Sequence, residues 1–531
     1  MTRLLCALLA AQGFVLLPGA VAQTDATTPE RPAGVSSAVR PEWKRGRELA
    51  LKYCSSCHLA PEPDALTKSA WVHQIQPEMA KWVGLEPVDY EGMADGNILR
   101  EAALYPPSPI LPEEDWFALW DYYRAAAPSR LDQGPRPHPV EGLKQFKVRK
   151  VNPHTGVPMT CLVKIDPPRR RVYMADTYGG SFFVLNAAGG LVSRNRLGSP
   201  AVSVSIRDNG LTATLISRIF PSDALEGSVA FIPFGNLAAS GASPPPMQVL
   251  LEGLRRPTDA VVADLNQDGR EDLVVCSFGS RLGRFSWFEG RASGGYDEHV
   301  LLDRPGAIRA EVRDFDGDGR PDVLVMMAQA REGIYLFLNQ GGGKFRMETV
   351  LEEPPNWGLA GLELADLNRD GHPDLVVANG DQGDLPLPLK PYHGIRVYLN
   401  DGHNHFREAF FYPMHGAYKA VARDFDGDGD LDLAAIAFYP DYAHDSPESF
   451  VYLENKGGPT LSFEAFTCPE QNAGRWLVMD AGDVDGDGDE DIILGSFVRG
   501  PTTAAVPGRL RDAWRNQGAV LLWLENLRVN R

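Results

Sequence analysis

DFDGDGRPDVLV, residues 314–325, joins an acidic turn to an apolar strand. Side-chain oxygens fall at its first, third, fifth and ninth positions, a glycine stands at the sixth, and an apolar strand follows. The pattern returns as DLNQDGREDLVV from Asp264, DLNRDGHPDLVV from Asp366, DFDGDGDLDLAA from Asp424 and DVDGDGDEDIIL from Asp483. Segments of strand character flank each copy, as Asp259–Ala263 and Leu273–Val275 flank the first. A third strand follows later, as in Phe285–Phe288, Tyr335–Leu338 and Leu521–Leu524. Units that recur every 50 to 60 residues or so mark propeller blades or a similar array. A fourth strand in the residues left over completes a blade.

The acidic loop carries its own chemistry. A hard cation takes six to eight oxygens, and a backbone carbonyl at the seventh position adds to the side chains, so the loop reads as a calcium site. It is shorter than an EF-hand loop, lacks the glutamate at position 12, and joins strands where the EF-hand joins helices. So many carboxylates held together would repel one another without a cation. The pattern resembles the FG-GAP or VCBS repeats of integrin-type propellers over most of residues 255–527. The resemblance implies up to five Ca2+ ions. Their ligands would be Asp264, Asn266, Asp268 and Asp272 in the first loop, and Asp314, Asp316, Asp318 and Asp322 in the second. Asp366, Asn368, Asp370 and Asp374 would serve the third, and Asp424, Asp426, Asp428 and Asp432 the fourth. Asp483, Asp485, Asp487 and Asp491 would serve the fifth.

Residues 146–250 lack the acidic loop but keep the strands, at Arg171–Ala175, Ser181–Leu185, Thr212–Ile216 and Ser228–Ile232. They hold two further blades, which predicts seven in all, with six or eight if the ring closes on a strand borrowed from 146–151.

Ahead of the repeats stands Cys54-Ser55-Ser56-Cys57-His58. Two thiols at this spacing followed by histidine match the attachment site of c-type haem, with the histidine as an iron ligand. A zinc site would need two more ligands, and no second Cys-x-x-Cys exists. A thioredoxin-like pair would sit at a strand end in a βαβ unit, which is missing here. Lys44–Tyr53 has helical character, and a second helix begins at Pro112 with acids in its first turn and Trp116, Leu119, Trp120 and Tyr123 at helical spacing. Residues 42–127 thus resemble a cytochrome c domain, in which a glycine, here Gly46, lets the second helix approach closely. The resemblance implies one covalent haem c on Cys54, Cys57 and His58. Met79 is preferred as the sixth ligand, Met93 stands second and His73 third.

Arg3 followed by an apolar run to Leu17, then Pro18-Gly19 and Ala20-Val21-Ala22, reads as a signal peptide over 1–22 cut after Ala22. Cys6 lies inside it. No later stretch is apolar enough to span a membrane. The chain has 531 residues and a net charge of -18, which excludes nucleic acid as a partner because phosphate binding needs a basic face. Cys161, Cys276 and Cys468 are far apart and read as buried small hydrophobes. Residues 128–145, rich in Pro, Arg and Gly, read as a linker, and 146–531 as the propeller.

The expected fold is multidomain: a small all-α cytochrome c domain, then an all-β propeller of seven blades. The expected function is electron transfer by a periplasmic or secreted haem protein, with a redox partner protein and the propeller as a docking platform. A dehydrogenase with its substrate in the propeller and haem as acceptor stands second. A module binding polysaccharide or envelope protein, with accessory haem, stands third. No nucleophile elbow, zinc-protease helix or phosphate-cradling loop is found.

Overall fold

In each repeat the strand after the acidic loop is a continuous apolar run, such as Asp322–Met327, and is buried along its whole length. Alternation is missing because these sheets stack on neighbours at both faces, so both sides of the strand are covered. In the computed structural model this produces a seven-bladed β-propeller. The structure describes residues 43–241, 244–383, 388–444, 448–458, 460–500 and 506–528. The signal peptide read over 1–22 lies outside the described residues.

Blades one and two are the four-stranded sheets spanning Thr160–Arg196 and Ala201–Arg255. Blades three, four and five span Pro257–Leu302, Ala307–Glu353 and Leu359–Pro413. Blade six runs from Ala417 to Thr467, and blade seven takes three strands from Trp476–Asn526. The fourth strand of blade seven is Phe146–Val151, antiparallel to Leu521–Asn526. The strand borrowed from 146–151 therefore closes a ring of seven. Phe146 is buried in the closure against Phe425 and Tyr452, at ring-centroid distances of 5.9 and 5.7 Å.

Side-chain pairs stitch the innermost strands across the seams. Asp480 accepts from the Ile165 backbone N–H at 2.8 Å and pairs with Lys164 at 3.4 Å, joining blades seven and one. Arg423 pairs with Glu363 at 2.7 Å between blades six and five. Ser203 donates to Asp259 at 2.6 Å between blades two and three.

Residues 43–127 form a small helical unit. Its first helix, Lys44–Tyr53, crosses the helix Glu113–Ala126 at Gly46. A β-carbon on Gly46 would lie 2.4 Å from Tyr122 Cβ and 2.7 Å from the Ala118 oxygen, so the approach requires glycine. Trp71, Trp116, Trp120 and Tyr123 fill the space beneath. Met79, expected between the two helices, lies in a further helix, Gln76–Trp82. Cys161, Cys276 and Cys468 are buried free thiols.

The linker residues are bound to the propeller. Val140–Glu141 adds a short fifth strand parallel to Phe463–Thr467 of blade six. The Gln133 side chain donates to the Leu389 carbonyl at 3.0 Å.

Candidate functional site

Two chemistries lie on opposite faces of the ring. The five acidic loops connect the first and second strands of blades three to seven. The helical unit rests on connections between second and third strands, at the other face. There Asp95 accepts from Ser222 Oγ at 2.6 Å and from the Asp223 N–H at 2.8 Å, on blade two. Arg331 of blade four donates to the Ser55 carbonyl at 3.3 Å, and Tyr392 of blade five to the Ala65 carbonyl at 3.1 Å.

In every loop the first aspartate folds the turn. Asp314 accepts from Gly317 at 2.8 Å, Asp318 at 3.1 Å and Gly319 at 2.9 Å. The glycine at position six has φ from 82° in Gly269 to 94° in Gly429 and Gly488, the left-handed turn that glycine adopts without strain. The ninth residue does a different job from the rest. Asp272, Asp322, Asp374, Asp432 and Asp491 are buried at the start of the second strand. One oxygen of each accepts from the second loop residue and the other from the third strand or the residue ending it. For Asp432 these donors are Phe425 at 3.2 Å and Asn455 at 2.7 Å, with the Tyr452 hydroxyl at 2.7 Å. This aspartate ties the loop to the hairpin behind it, a role the ligand assignment alone missed.

The predicted ligands converge to different degrees. Asp314, Asp316 and Asp322 bring ligand oxygens within 4.8 Å of one another, as do Asp424, Asp426 and Asp428, and Asp483, Asp485 and Asp487. In the first and third loops Asn266 and Asn368 instead donate to Asp268 and Asp370, at 3.0 and 2.8 Å. Position seven grades the charge further. Arg270 and Arg320 pair with Asp268 and Asp318, whereas the fourth and fifth loops place Asp430 and Asp489 there. Asp424 Oδ1 and Asp485 Oδ1 are buried without a hydrogen-bond donor among the described residues. Burial, with neighbouring carboxylates adding to it, pushes Asp432 and Asp491 up to about 7. Orphaned carboxylate oxygens in an all-oxygen donor set fit a hard divalent cation, and the fourth and fifth loops fit it best.

Cys54 begins a helical turn directly after Tyr53, and Cys57 is exposed beside it. His58 is half-buried, and its Nδ1 bonds the Leu59 carbonyl at 2.9 Å. A carbonyl only accepts, so Nδ1 carries the proton and the Nε2 lone pair stays available to a metal. Burial lowers the His58 pKa, and Arg331 adds to this, which favours the neutral, ligating imidazole. Burial also pushes the Cys54 thiol up to about 11, the reverse of what a redox-active thiolate needs. Trp120 Nε1 is buried in the aromatic core with no acceptor among the described residues. Cys54, Cys57 and His58 are the residues that would hold a covalent haem. Met79 packs against the same apolar cluster as Cys54, His73 is exposed, and Met93 lies outside the cluster in a bend.

A central channel of about 690 Å³ runs between the inner strands. Phe220, Phe438 and Phe497, in connections between second and third strands, are among the residues that line it.

The FG-GAP-like repeat family model matches residues 264–325, 314–377 and 424–494. The chain carries FG-GAP-like repeats. They lie in the blades whose loops bear the carboxylates. Among solved structures, regucalcin of Agrobacterium tumefaciens, described as a calcium-binding protein, is 12% identical over 61% of this chain and 95% of its own, with a TM-score of 0.36. The periplasmic gluconolactonase of Pseudomonas aeruginosa is 14% identical over 57% of this chain and 85% of its own, with a TM-score of 0.38. Neither carries a site residue over to this chain. No match is found among curated proteins. No helix among the described residues is long and apolar enough to cross a membrane.

Proposed function

We propose that the chain is an exported c-type haem protein of the periplasm or extracellular space that passes single electrons to a partner protein. Its FG-GAP-type propeller, stiffened by calcium, is the platform that holds the haem unit. The observation that carries this reading is the state of His58. The imidazole directly follows the Cys54/Cys57 pair, is tied through Nδ1 to its neighbour's carbonyl, and keeps Nε2 for iron. Cys54 and Cys57 would hold the porphyrin and His58 would ligate the metal. Met79 would supply the sixth ligand, since it shares the apolar cluster with Cys54. Haem bound there supplies one-electron redox chemistry. The protein around it excludes water through Trp71, Trp116 and Trp120 and presents Arg331 as a fixed cation.

The acidic loops would bind Ca2+ for stability. They lie on the face away from the helical unit, so calcium has no direct part in electron transfer. A second reading, a dehydrogenase with its substrate in the channel, rests on the channel's volume of about 690 Å³ and on its lining by Phe220, Phe438 and Phe497 at the strand connections on the helical unit's side. A redox titration followed by optical spectra tests the first reading. Reversible one-electron c-type bands support it, and their absence ends it. Haem reduction on adding a substrate would move the assignment to the second.

A further inference from the structure

His415 stands where the linker is fastened to the propeller. It lies in the connection between blades five and six and is 3% exposed. Its backbone N–H donates to Glu448 Oε2 at 2.6 Å, and its Nδ1 faces Glu448 Oε1 at 3.2 Å. A carboxylate only accepts, so Nδ1 carries a proton whether or not the ring is charged.

Nε2 meets two linker residues with opposite demands. Gln133 Oε1 lies 3.0 Å from it and Arg136 Nη2 2.5 Å. Gln133 is fixed in orientation, because its Nε2 donates to the Leu389 carbonyl of blade five at 3.0 Å. Its Oε1 therefore faces the ring as an acceptor. A guanidinium only donates. The neutral ring accepts from Arg136, and Arg136 Nη2 also reaches Gln133 Oε1 at 3.3 Å. The charged ring donates to Gln133 instead and sets a second cation against the guanidinium. Arg136 has few other bonds. Its Nε and Nη1 are buried with no hydrogen-bond partner among the described residues, and Glu448 Oε2 is 4.0 Å from Nη1.

The other titratable groups here come from blades five and six. Glu448 and Asp441 lie in the blade-six connection between second and third strands, and Tyr412 in the last strand of blade five. Burial works against the Arg136 charge, and these three groups offset part of it. His393, Lys390 and Arg396 of blade five stand behind. Burial, with Lys390, His415, Arg396 and Arg136 adding to it, holds His393 well below the usual imidazole range, so that ring stays neutral.

We propose that His415 is a pH-operated latch on the segment that joins the helical unit to the propeller. Neutral, it holds Arg136. Protonated, it turns to Gln133 and releases Arg136. Histidine changes charge between about pH 5 and 8, so the latch opens in mild acid. Just beyond Arg136 the chain is held to blade six only by the short strand Val140–Glu141 and by the Gly142 N–H, which donates to the Thr467 carbonyl at 2.8 Å. Release loosens residues 134–142 and leaves the blades folded. The latch needs neither haem nor calcium, so it goes beyond the haem reading and stands without it.

The test is hydrogen exchange of the full-length protein, with calcium present, at pH 8 and pH 5.5. Rates are corrected for the intrinsic pH dependence of amide exchange. Protection of peptides covering 134–142 should fall about tenfold from pH 8 to pH 5.5, the effect of losing one hydrogen bond to a charged group. Peptides of blade three should show no such fall. His415→Gln offers Arg136 a neutral acceptor and should keep the high protection at both pH values. Arg136→Met should give the low protection at both. Arg136 lies outside the blades, so its variant carries the test if His415→Gln fails to fold. The inference is overturned if the parent is equally protected at both pH values, if blade three loosens in acid to the same extent, or if either variant keeps the parent's fall.

Discussion

Arg331 Nη2 donates to the Ser55 carbonyl at 3.3 Å, across 276 residues of sequence. The bond joins blade four to the turn that holds the paired cysteines. It also fixes a cation near His58, where the charge opposes imidazole protonation.

Replacing Arg331 with alanine should therefore lower the haem midpoint potential. The cation disfavours the oxidised, more positive iron, so its loss favours oxidation. The expected fall is on the order of tens of millivolts, since the site is partly solvated. Potentiometric titration of both proteins measures it, and an unchanged or raised potential contradicts the placement.

Gly46 is the contact point of the two main helices of the helical unit. Gly46→Ala would place a β-carbon 2.4 Å from Tyr122 Cβ. Overpacking of this kind costs about 1–3 kcal/mol or more. The haem content per chain should fall while the propeller's melting transition stays in place. Absorbance per protein and calorimetry check the two parts.

Calcium removal should destabilise the propeller and spare the haem spectrum. Each site binding only the folded chain contributes about 2.7 kcal/mol when free calcium is a hundredfold above its Kd. Asp426→Asn and Asp485→Asn should reduce calcium stabilisation more than Asp268→Asn does, because the fourth and fifth loops carry the denser charge. Melting curves with calcium and with chelator decide this order.

The chelated protein should also lose stability as pH rises. Burial raises Asp432 and Asp491 to about 7 when folded, above the roughly 3.9 of an unfolded aspartate. The folded state thus binds more protons between those values. The stability that protonation gives is complete below about pH 4 and is lost as pH passes through 7. These carboxylates alone predict that the chelated chain is less stable at pH 8 than at pH 5.5, and that calcium narrows the difference. Denaturant melts at both pH values measure it.

Phe146→Ala should open the ring closure. Phe146 fills a site between Phe425 and Tyr452, and such truncations cost about 3–5 kcal/mol. Blade seven should lose hydrogen-exchange protection before blade three does.

Much of this architecture is legible because its signals are local. Nine residues from Asp314 to Asp322 encode a turn, a glycine in the left-handed region and the start of a strand. Their recurrence sets the blades; a strand borrowed from 146–151 reads in the sequence as shifting the count to six or eight, and instead it supplies the fourth strand of the seventh blade. Gly46 and the aromatic spacing after Pro112 mark the helix crossing for the same reason. Contacts that span the chain leave no such mark. Nothing in Val140–Glu141 announces a strand, because two residues have no period. Lys164 and Asp480 lie 316 positions apart and meet only when the ring closes. The position-nine aspartates look like their neighbours in sequence, yet burial and two backbone N–H donors give them a structural task. The docking of the helical unit through Asp95, Arg331 and Tyr392 likewise depends on which face of the ring each loop reaches.

The central claim is that haem is bonded to Cys54 and Cys57 and ligated by His58. Acid-acetone extraction of the purified protein, followed by a pyridine haemochrome spectrum of the pellet, tests it most directly. One c-type haem per chain should stay with the polypeptide and be lost in Cys54→Ala/Cys57→Ala. Haem released into the acetone, or no haem at all, would contradict it.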